Sequence, residues 1–281
     1  MKILDKILIV LFNICLLLVA IWISAVPIAK SKSYYQKQFE KNEIYAHYED
    51  STLVQTRFRY IGGTRYNSTY FTDEQLDIII DHIIDYLFKG KDTFELKMDD
   101  VLVNGKLQDD VSIFGEVAVN HMKDVKVLFT VYRIISAVAL CGMVGMIIYF
   151  LKRMKYVKKA LLSVTLIFYG VVFLLIGIFL LVVIIHMMKE KIPMQMDWFL
   201  DTLWRDIHHL LFMFQPEKVE GSFFNDILTE VLTLDLFITA VVIVVVVLVT
   251  MLTLWLVSTI LARIYGEKIS QKFFKEKATK E

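Results

Sequence analysis

Residues 236–261 read LFITAVVIVVVVLVTMLTLWLVSTIL, and none of these side chains is charged. Three further apolar runs of comparable length occur at residues 7–29, 127–151 and 160–187. Each run has the roughly 20 residues that a helix needs to cross a hydrocarbon core of about 30 Å. Because lipid offers the backbone no hydrogen bonds, each run is expected to be a helix. The sequence thus predicts an all-α membrane protein with four transmembrane helices.

The composition agrees with this interpretation. Of the 281 residues 57% are hydrophobic, and the mean hydropathy is +0.56. The first run is longer than the apolar region of a secretory signal, which has about 7–15 residues, so an uncleaved anchor is expected. Cys15 and Cys141 fall in different spans, so the connecting segments are expected to have no disulfide. A net charge of +1 gives no reason to expect nucleic acid as a partner.

Basic residues in short loops predict the orientation. The loop between the second and third spans, residues 152–159, reads KRMKYVKK, and residues 262–281 hold six more basic side chains. Lysine and arginine mark the cytoplasmic side, so both termini are predicted to be cytoplasmic. The predicted order is an anchor helix (1–29), a first extracytoplasmic cap segment (30–126), the second and third spans (127–187), a second extracytoplasmic segment (188–235), and the fourth span with a basic tail (236–281).

Local signals predict helices and a turn in the cap. In TDEQLDIIIDHIIDYLFKG (72–90), Thr72 and Gln75 have the spacing of a capping box and Gly90 ends the helix. A second helix is expected to begin near Val111 and to run into the second span, after a hairpin turn at residues 104–105. An amphipathic helix at residues 196–214, MDWFLDTLWRDIHHLLFMF, is expected to lie along the membrane boundary.

Two histidines are candidates for acid/base chemistry. His121 has Asp124 three residues on, on the same helical face, where a carboxylate orients an imidazole. An ordinary interfacial histidine beside a Lys126 that reaches toward the headgroups is the alternative. His208, next to aromatic residues, is either a packing residue or a general acid or base. His47 and His82 have no distinctive partners, so solvated or helix-surface positions are expected for both.

Arg133 lies about two turns into the second span, where a charge indicates function unless it reaches the outer headgroups. Arg205 lies near His208 in sequence. The chain has no phosphate-binding glycine loop, GxSxG, HExxH or CxxC motif, so no covalent nucleophile is indicated. Two histidines without a third ligand do not define a zinc site, and neither a metal nor another cofactor is expected.

The four spans, HMKDVKVLF (121–129) leading into the second and IHHLLFMF (207–214) before the fourth, resemble the lipoprotein intramolecular transacylase family. The resemblance covers most of the chain in architecture. Residues 121, 122 and 124–126 match its H-M-x-D-V-K block. His208 and Phe212 match its F-H-x-x-F-F block, in which Ile207 and Leu211 here replace aromatic residues.

The resemblance implies a membrane acyltransferase of the bacterial cell membrane, with its active site at the outer face and a diacylated lipoprotein as its substrate. The sn-2 acyl chain of an S-diacylglyceryl cysteine would move to the amino group of the same cysteine. His121 and His208 would be catalytic, with Asp124, Lys126, Arg133 and Arg205 as substrate-binding or orienting residues. A non-catalytic membrane protein whose cap binds a lipid or a protein partner is the alternative, with structural histidines.

Overall fold

The computed structural model describes residues 3–42, 44, 58–67, 69–187 and 226–278. The chain forms two compact units. The membrane unit comprises Met1–Val26, Val131–Met188 and Val241–Glu281. The cap unit comprises Pro27–Thr130 and Lys189–Ala240.

The helices in chain order are α1 (Ile3–Ala29), α2 (Lys32–Lys41), α3 (Asp73–Phe88), α4 (Glu116–Lys152), α5 (Met154–Met187), α6 (Ile227–Val231) and α7 (Leu234–Ala278). The strands are β1 (Tyr60–Ile61), β2 (Thr64–Arg65), β3 (Thr69–Tyr70), β4 (Lys97–Met98), β5 (Val101–Val103), β6 (Lys106–Gln108) and β7 (Val111–Ser112). Helices therefore dominate the described residues, and the short strands all belong to the cap unit.

Four of these helices are long and apolar enough to cross a membrane, among the residues described: α1, α4, α5 and α7. Their outer surfaces are apolar as well, since Val138 is 68% exposed and Ile167 is 71% exposed. Surfaces of this kind are stable in lipid and not in water. The prediction of four spans is confirmed.

Polar and aromatic contacts between helices lie in the interior of the membrane unit. The Nδ2 atom of Asn13 donates to the carbonyl oxygen of Ile9 at 2.8 Å and to Oγ1 of Thr165 at 3.3 Å. The ring of Phe12 packs against that of Trp255, with 4.6 Å between the ring centroids. Side-chain hydrogen bonds between helices give packing in lipid a direction that apolar contacts lack. These contacts join α1 to α5 and to α7.

Ion pairs join the three segments that were predicted to share the cytoplasmic side. The buried carboxylate of Asp5, near the start of α1, accepts from Tyr149 at 2.9 Å and pairs with Arg153 at 3.5 Å, at the α4–α5 turn. Lys158, on α5, pairs with Glu267, on α7, at 2.6 Å. The first turn of α1, the basic loop and the start of the basic tail thus meet within the membrane unit.

Two local predictions in the cap unit are confirmed. Thr72 and Gln75 form a reciprocal capping box at the start of α3, and Gly90, with a φ of +83°, follows its end. Strands β5 and β6 form an antiparallel hairpin in which Asn104 and Gly105 are the two turn residues. Both turn residues have positive φ, 51° and 76°, as a tight hairpin of this kind requires.

The expected start, near Val111, of the helix that runs into the second span was wrong. Residues 111–112 form β7, which pairs antiparallel with β4, and α4 begins only at Glu116. A strand residue and a helix residue look alike in a short apolar stretch, so only the pairing with residues 97–98 settles the conformation. As a result, His121 lies in the second turn of α4.

The core of the cap unit surrounds α3. The buried side chains of Leu76, Ile79, Ile80 and Ile83 lie on one face of this helix. Against them pack residues from the strands and their connecting segments, from the first turns of α4 and from α6, among them Phe94, Val101, Val103, Phe114, Met122 and Val231. The first turns of α4 are thereby fixed to the cap unit by apolar packing.

Candidate active site

The start of α4 is anchored by a buried carboxylate. Oδ2 of Asp226 accepts from the backbone N–H of Gly115 at 2.8 Å, and Oδ1 caps α6 by accepting from the N–H of Leu228 at 2.9 Å. Burial raises the pKa of Asp226, although both hydrogen bonds favour the charged form. A side chain distant in sequence thus fixes the residue that precedes α4.

The predicted pair of His121 and Asp124 lies on this anchored part of α4. Both side chains are half-buried, and between them Met122 is buried in the cap core. Their spacing of three residues places them on one face of the helix. A half-buried imidazole remains accessible to a reactant, as a general acid or base must be.

Lys126 is held against α3 and the loop that follows it. Its Nζ atom donates to the carbonyl oxygen of Lys91 and lies 4.3 Å from the centroid of the Tyr86 ring. Burial raises the pKa of Tyr86, and the negative charge of Asp124 raises it further. The cation and the carboxylate therefore both act on the ring of Tyr86, which is the centre of one electrostatic cluster.

His82 departs from the solvated or helix-surface position that was expected for it. Its side chain is buried at 4% exposure, and its ring lies 5.3 Å from that of Phe94 and 6.0 Å from that of Phe114, between centroids. Nε2 contacts the carbonyl oxygen of Phe94 at 2.9 Å, and Nδ1 contacts Nζ of Lys91 at 2.8 Å. Burial lowers the pKa of His82, and the Lys91 ammonium lowers it as well.

The lowered pKa of His82 predicts acid sensitivity of the fold. The folded protein binds this proton less readily than the unfolded chain. The contribution of neutral His82 to the free energy of unfolding is therefore fully present above the unfolded pKa of about 6.5, and it is lost as the pH falls below that value. His82→Gln removes the titration. Wild type is therefore expected to lose more thermal stability than His82→Gln between about pH 7.5 and pH 5. Equal losses in melting temperature would contradict this assignment.

The remaining predicted residues belong to the membrane unit or fall outside the described chain. Arg133 belongs to the membrane unit, and its side chain is exposed. His208 and Arg205, with the whole predicted amphipathic helix at residues 196–214, fall outside the described residues. The structure thus places His121, Asp124 and Lys126 on one anchored stretch of α4, with Asp124 and Lys126 both near the ring of Tyr86.

Three residues beside the cluster were missed by sequence reasoning: His82, Tyr86 and Lys91. One signal was present, because His82 lies between apolar neighbours in IIIDHIIDYLF (78–88), on the face that α3 buries. Nothing in the sequence pairs Lys91 with His82 or with Lys126, since these contacts join residues 9 and 35 positions apart.

These observations define a polytopic membrane protein whose cap unit contains both helices and short strands. One helix of this unit carries a histidine, a carboxylate and a lysine. The fold of the chain resembles that of the membrane-integral lipoprotein intramolecular transacylase Lit from Bacillus cereus. The match has a TM-score of 0.56 at 14% sequence identity and covers 95% of this chain and 98% of the other. A comparison with curated proteins found no match.

The family model of the lipoprotein intramolecular transacylases, Lit, matches residues 10–215. The chain belongs to this family, and its class is that of a membrane acyltransferase. The match covers most of the chain and includes the positions of both histidines that were predicted to be catalytic. The predicted family and enzyme class are confirmed.

Proposed function

We propose that this protein transfers the sn-2 acyl chain of an S-diacylglyceryl-cysteine lipoprotein to the α-amino group of the same cysteine. The product is a lyso-form lipoprotein with an N-acyl cysteine. Membership of the transacylase family carries the proposal. The family's name specifies an intramolecular transfer on a lipoprotein, and the cluster at His121 offers the acid/base groups that such a transfer needs.

The reaction balances without water, metal or a covalent enzyme intermediate. The cysteine nitrogen attacks the sn-2 carbonyl carbon, and one histidine takes the proton that this nitrogen loses. The tetrahedral intermediate collapses as the bond between carbonyl carbon and glyceryl oxygen breaks. The second histidine protonates the departing oxygen, so that an amide and a free glyceryl hydroxyl result. We assign these two roles to His121 and His208 as a pair.

The enzyme's largest task is to hold the two ends of one substrate together. The attacking amine reaches the ester through the cysteine side chain and the glyceryl group, and closing that ring costs conformational entropy. A site that holds the reactive geometry can supply about 7–11 kcal/mol of the barrier. Exclusion of water also matters, because water at the same carbonyl would release a fatty acid.

We assign supporting roles to four residues. Asp124 orients the His121 imidazole and stabilises its protonated form. Lys126 and Arg205 are the cations for the oxyanion or for the substrate's backbone carbonyls. An ammonium has three N–H donors, and the carbonyl of Lys91 takes one of those on Lys126. The exposed Arg133 is assigned to a lipid or substrate headgroup.

We further propose that the active site faces the outer leaflet of the bacterial cell membrane, with both termini in the cytoplasm. The basic loop at residues 152–159 and the basic tail support this orientation. Their shared position is supported by the Asp5–Arg153 and Lys158–Glu267 pairs. The lipid-modified cysteines of lipoproteins would then approach the cap unit from the outer leaflet.

Tandem mass spectrometry of lipoprotein N-termini tests the reaction. Cells that make only diacylglyceryl lipoproteins are compared with and without this protein. We expect the mass of the N-terminal peptide to stay unchanged while one acyl chain moves from glycerol to the amine. Unchanged fragments despite verified membrane expression would overturn the proposal and favour a binding protein. Loss of one acyl chain without gain of an amide would indicate a hydrolase instead.

A further inference from the structure

We propose that His82 is a positioning residue that acts through Lys91 to hold the Lys126 ammonium against the carbonyl oxygen of Lys91 and the ring of Tyr86, on the stretch of α4 that also carries His121. This inference rests on the proposed function, because it gives Lys126 its place in that reaction. None of the sequence motifs includes His82. The contacts that connect it to Lys126 all lie within the cap unit.

The hydrogen bonds of His82 define its tautomer. The carbonyl oxygen of Phe94 can only accept, so Nε2 carries the hydrogen and donates it at 2.9 Å. The Lys91 ammonium can only donate, so Nδ1 offers its lone pair at 2.8 Å. Both ring nitrogens are satisfied only when the imidazole is neutral. A neutral, buried histidine thus accepts a charged hydrogen bond from an otherwise exposed lysine.

Lys91 links the two ends of this network. Its side chain reaches His82, and its carbonyl oxygen accepts from Nζ of Lys126. Gly90, with a φ of +83°, turns the chain after α3 and brings Lys91 back to that helix. A segment that leaves a helix through glycine has little rigidity of its own. The contact with His82 therefore fixes the carbonyl that receives Lys126.

Fixing Lys126 in advance serves the role proposed for it, as a cation for the oxyanion or for the substrate's carbonyls. Lysine has a long, flexible side chain, and ordering it costs conformational entropy. The Lys91 carbonyl and the Tyr86 ring, whose centroid is 4.3 Å from Nζ, hold its ammonium before substrate arrives. The ring in turn contacts Phe94, the residue that His82 bonds, at 5.1 Å between centroids. His82 thereby supports both partners of the Lys126 ammonium, the Lys91 carbonyl and the Tyr86 ring.

The charges that face His82 set the conditions for this network. Lys91 opposes its protonation and Asp85, on α3, favours it. Burial is the larger influence and holds the pKa of His82 below 6.5. A second proton at Nδ1 would set two cations against each other at the Lys91 contact. The network is therefore intact at neutral pH and opens on acidification.

The chemical reactivity of Lys126 tests the network without any reference to catalysis. Reductive methylation of the purified full-length protein is followed by mass spectrometry, with the exposed Lys123 on α4 as the internal reference. In His82→Phe, which keeps an aromatic ring but loses both hydrogen bonds, we expect Lys126 to react several-fold faster. Lys91→Met should act in the same way, whereas Lys89→Met, its neighbour, should not. Unchanged reactivity of Lys126 in His82→Phe would overturn the inference.

A double-mutant cycle on the acyl-transfer rate then tests the consequence. His82→Phe is expected to lower kcat/KM about ten-fold, the equivalent of one hydrogen bond to a charged group. In a Lys126→Met background the same substitution should change the rate by less than about two-fold, because its route of action is already gone. His82→Gln, whose amide can donate and accept, should recover part of the loss.

The two experiments separate the two proposals. Additive losses in the cycle would show that His82 supports only the fold, and would overturn the inference while leaving the transacylase reaction intact. A wild-type protein without acyl transfer would overturn the proposed function, and the Lys126 reactivities would still decide whether His82 positions this lysine.

Discussion

Replacing His121 by alanine is expected to lower the rate of acyl transfer by about 10²–10⁴-fold, the usual contribution of a general acid or base. The substitution removes the group that exchanges a proton with the amine or with the departing glyceryl oxygen. Because the side chain is only half-buried, truncating it leaves the core of the cap unit intact. The measurement is the fraction of N-acyl cysteine formed over time on a diacylglyceryl lipoprotein, at matched membrane levels of the protein.

Lys123→Ala is the matched control for this experiment. It lies on the same turn of α4 with an exposed side chain, so the rate should stay within about two-fold of wild type. His208→Ala is expected to produce a loss as large as that of His121→Ala, since each histidine serves one half of the reaction. If His121→Ala transfers the acyl chain at the wild-type rate, His121 is excluded from catalysis and is a packing residue.

Gly115→Ala is expected to destabilise the cap unit strongly. A Cβ at this position would lie 2.8 Å from the backbone nitrogen of Gly63, 2.9 Å from its Cα and 3.1 Å from Oδ2 of Asp226. Two of these neighbours are backbone atoms, which cannot rotate away. We expect a loss of about 1–3 kcal/mol in the free energy of unfolding, with a lower melting temperature in detergent. Activity should fall too, because this residue leads into the helix that carries His121.

Gly142→Ala, within α4, provides the control. A Cβ there has nothing within 4 Å, and alanine is the better helix former by about 0.8–1.0 kcal/mol. Its melting temperature should equal or exceed that of wild type. A Gly115→Ala protein as stable as Gly142→Ala would mean that the close approach of residues 63 and 115 does not hold in solution.

The two largest expected effects thus both concern α4, one through its chemistry and the other through its position. His121 supplies chemistry, whereas Gly115 and Asp226 fix where α4 begins and hence where His121 lies. The anchoring contact joins positions 111 residues apart in sequence. Both substitutions reduce acyl transfer, but only Gly115→Ala is expected to reduce stability, so the two measurements together tell a catalytic loss from a structural one.

Local patterns in the chain were sufficient for much of the fold. The four spans follow from long apolar runs, because the cost of unsatisfied backbone in lipid leaves helices as the solution. The capping box at Thr72 and Gln75 and the turn at residues 104–105 follow from hydrogen bonding and φ angles within a few residues. The candidates on α4 followed from helical spacing and from the resemblance of HMKDVK to a family block.

Other features depend on contacts between distant parts of the chain. Residues 111–112 are a strand because residues 97–98 pair with them, and so α4 begins at Glu116. The burial of His82 depends on which face of α3 the cap core covers, and on the return of Phe94 to that face.

The sequence by itself determined that this protein is a four-span membrane protein of the transacylase family, because apolar length, caps, turns and short motifs are properties of neighbouring residues. Only the tertiary structure decided that a buried neutral histidine, a lysine in the following loop and Lys126 of α4 form one network. The physical reason is that burial and the partners of a charge come from segments far apart in the chain, which meet only when the cap unit folds.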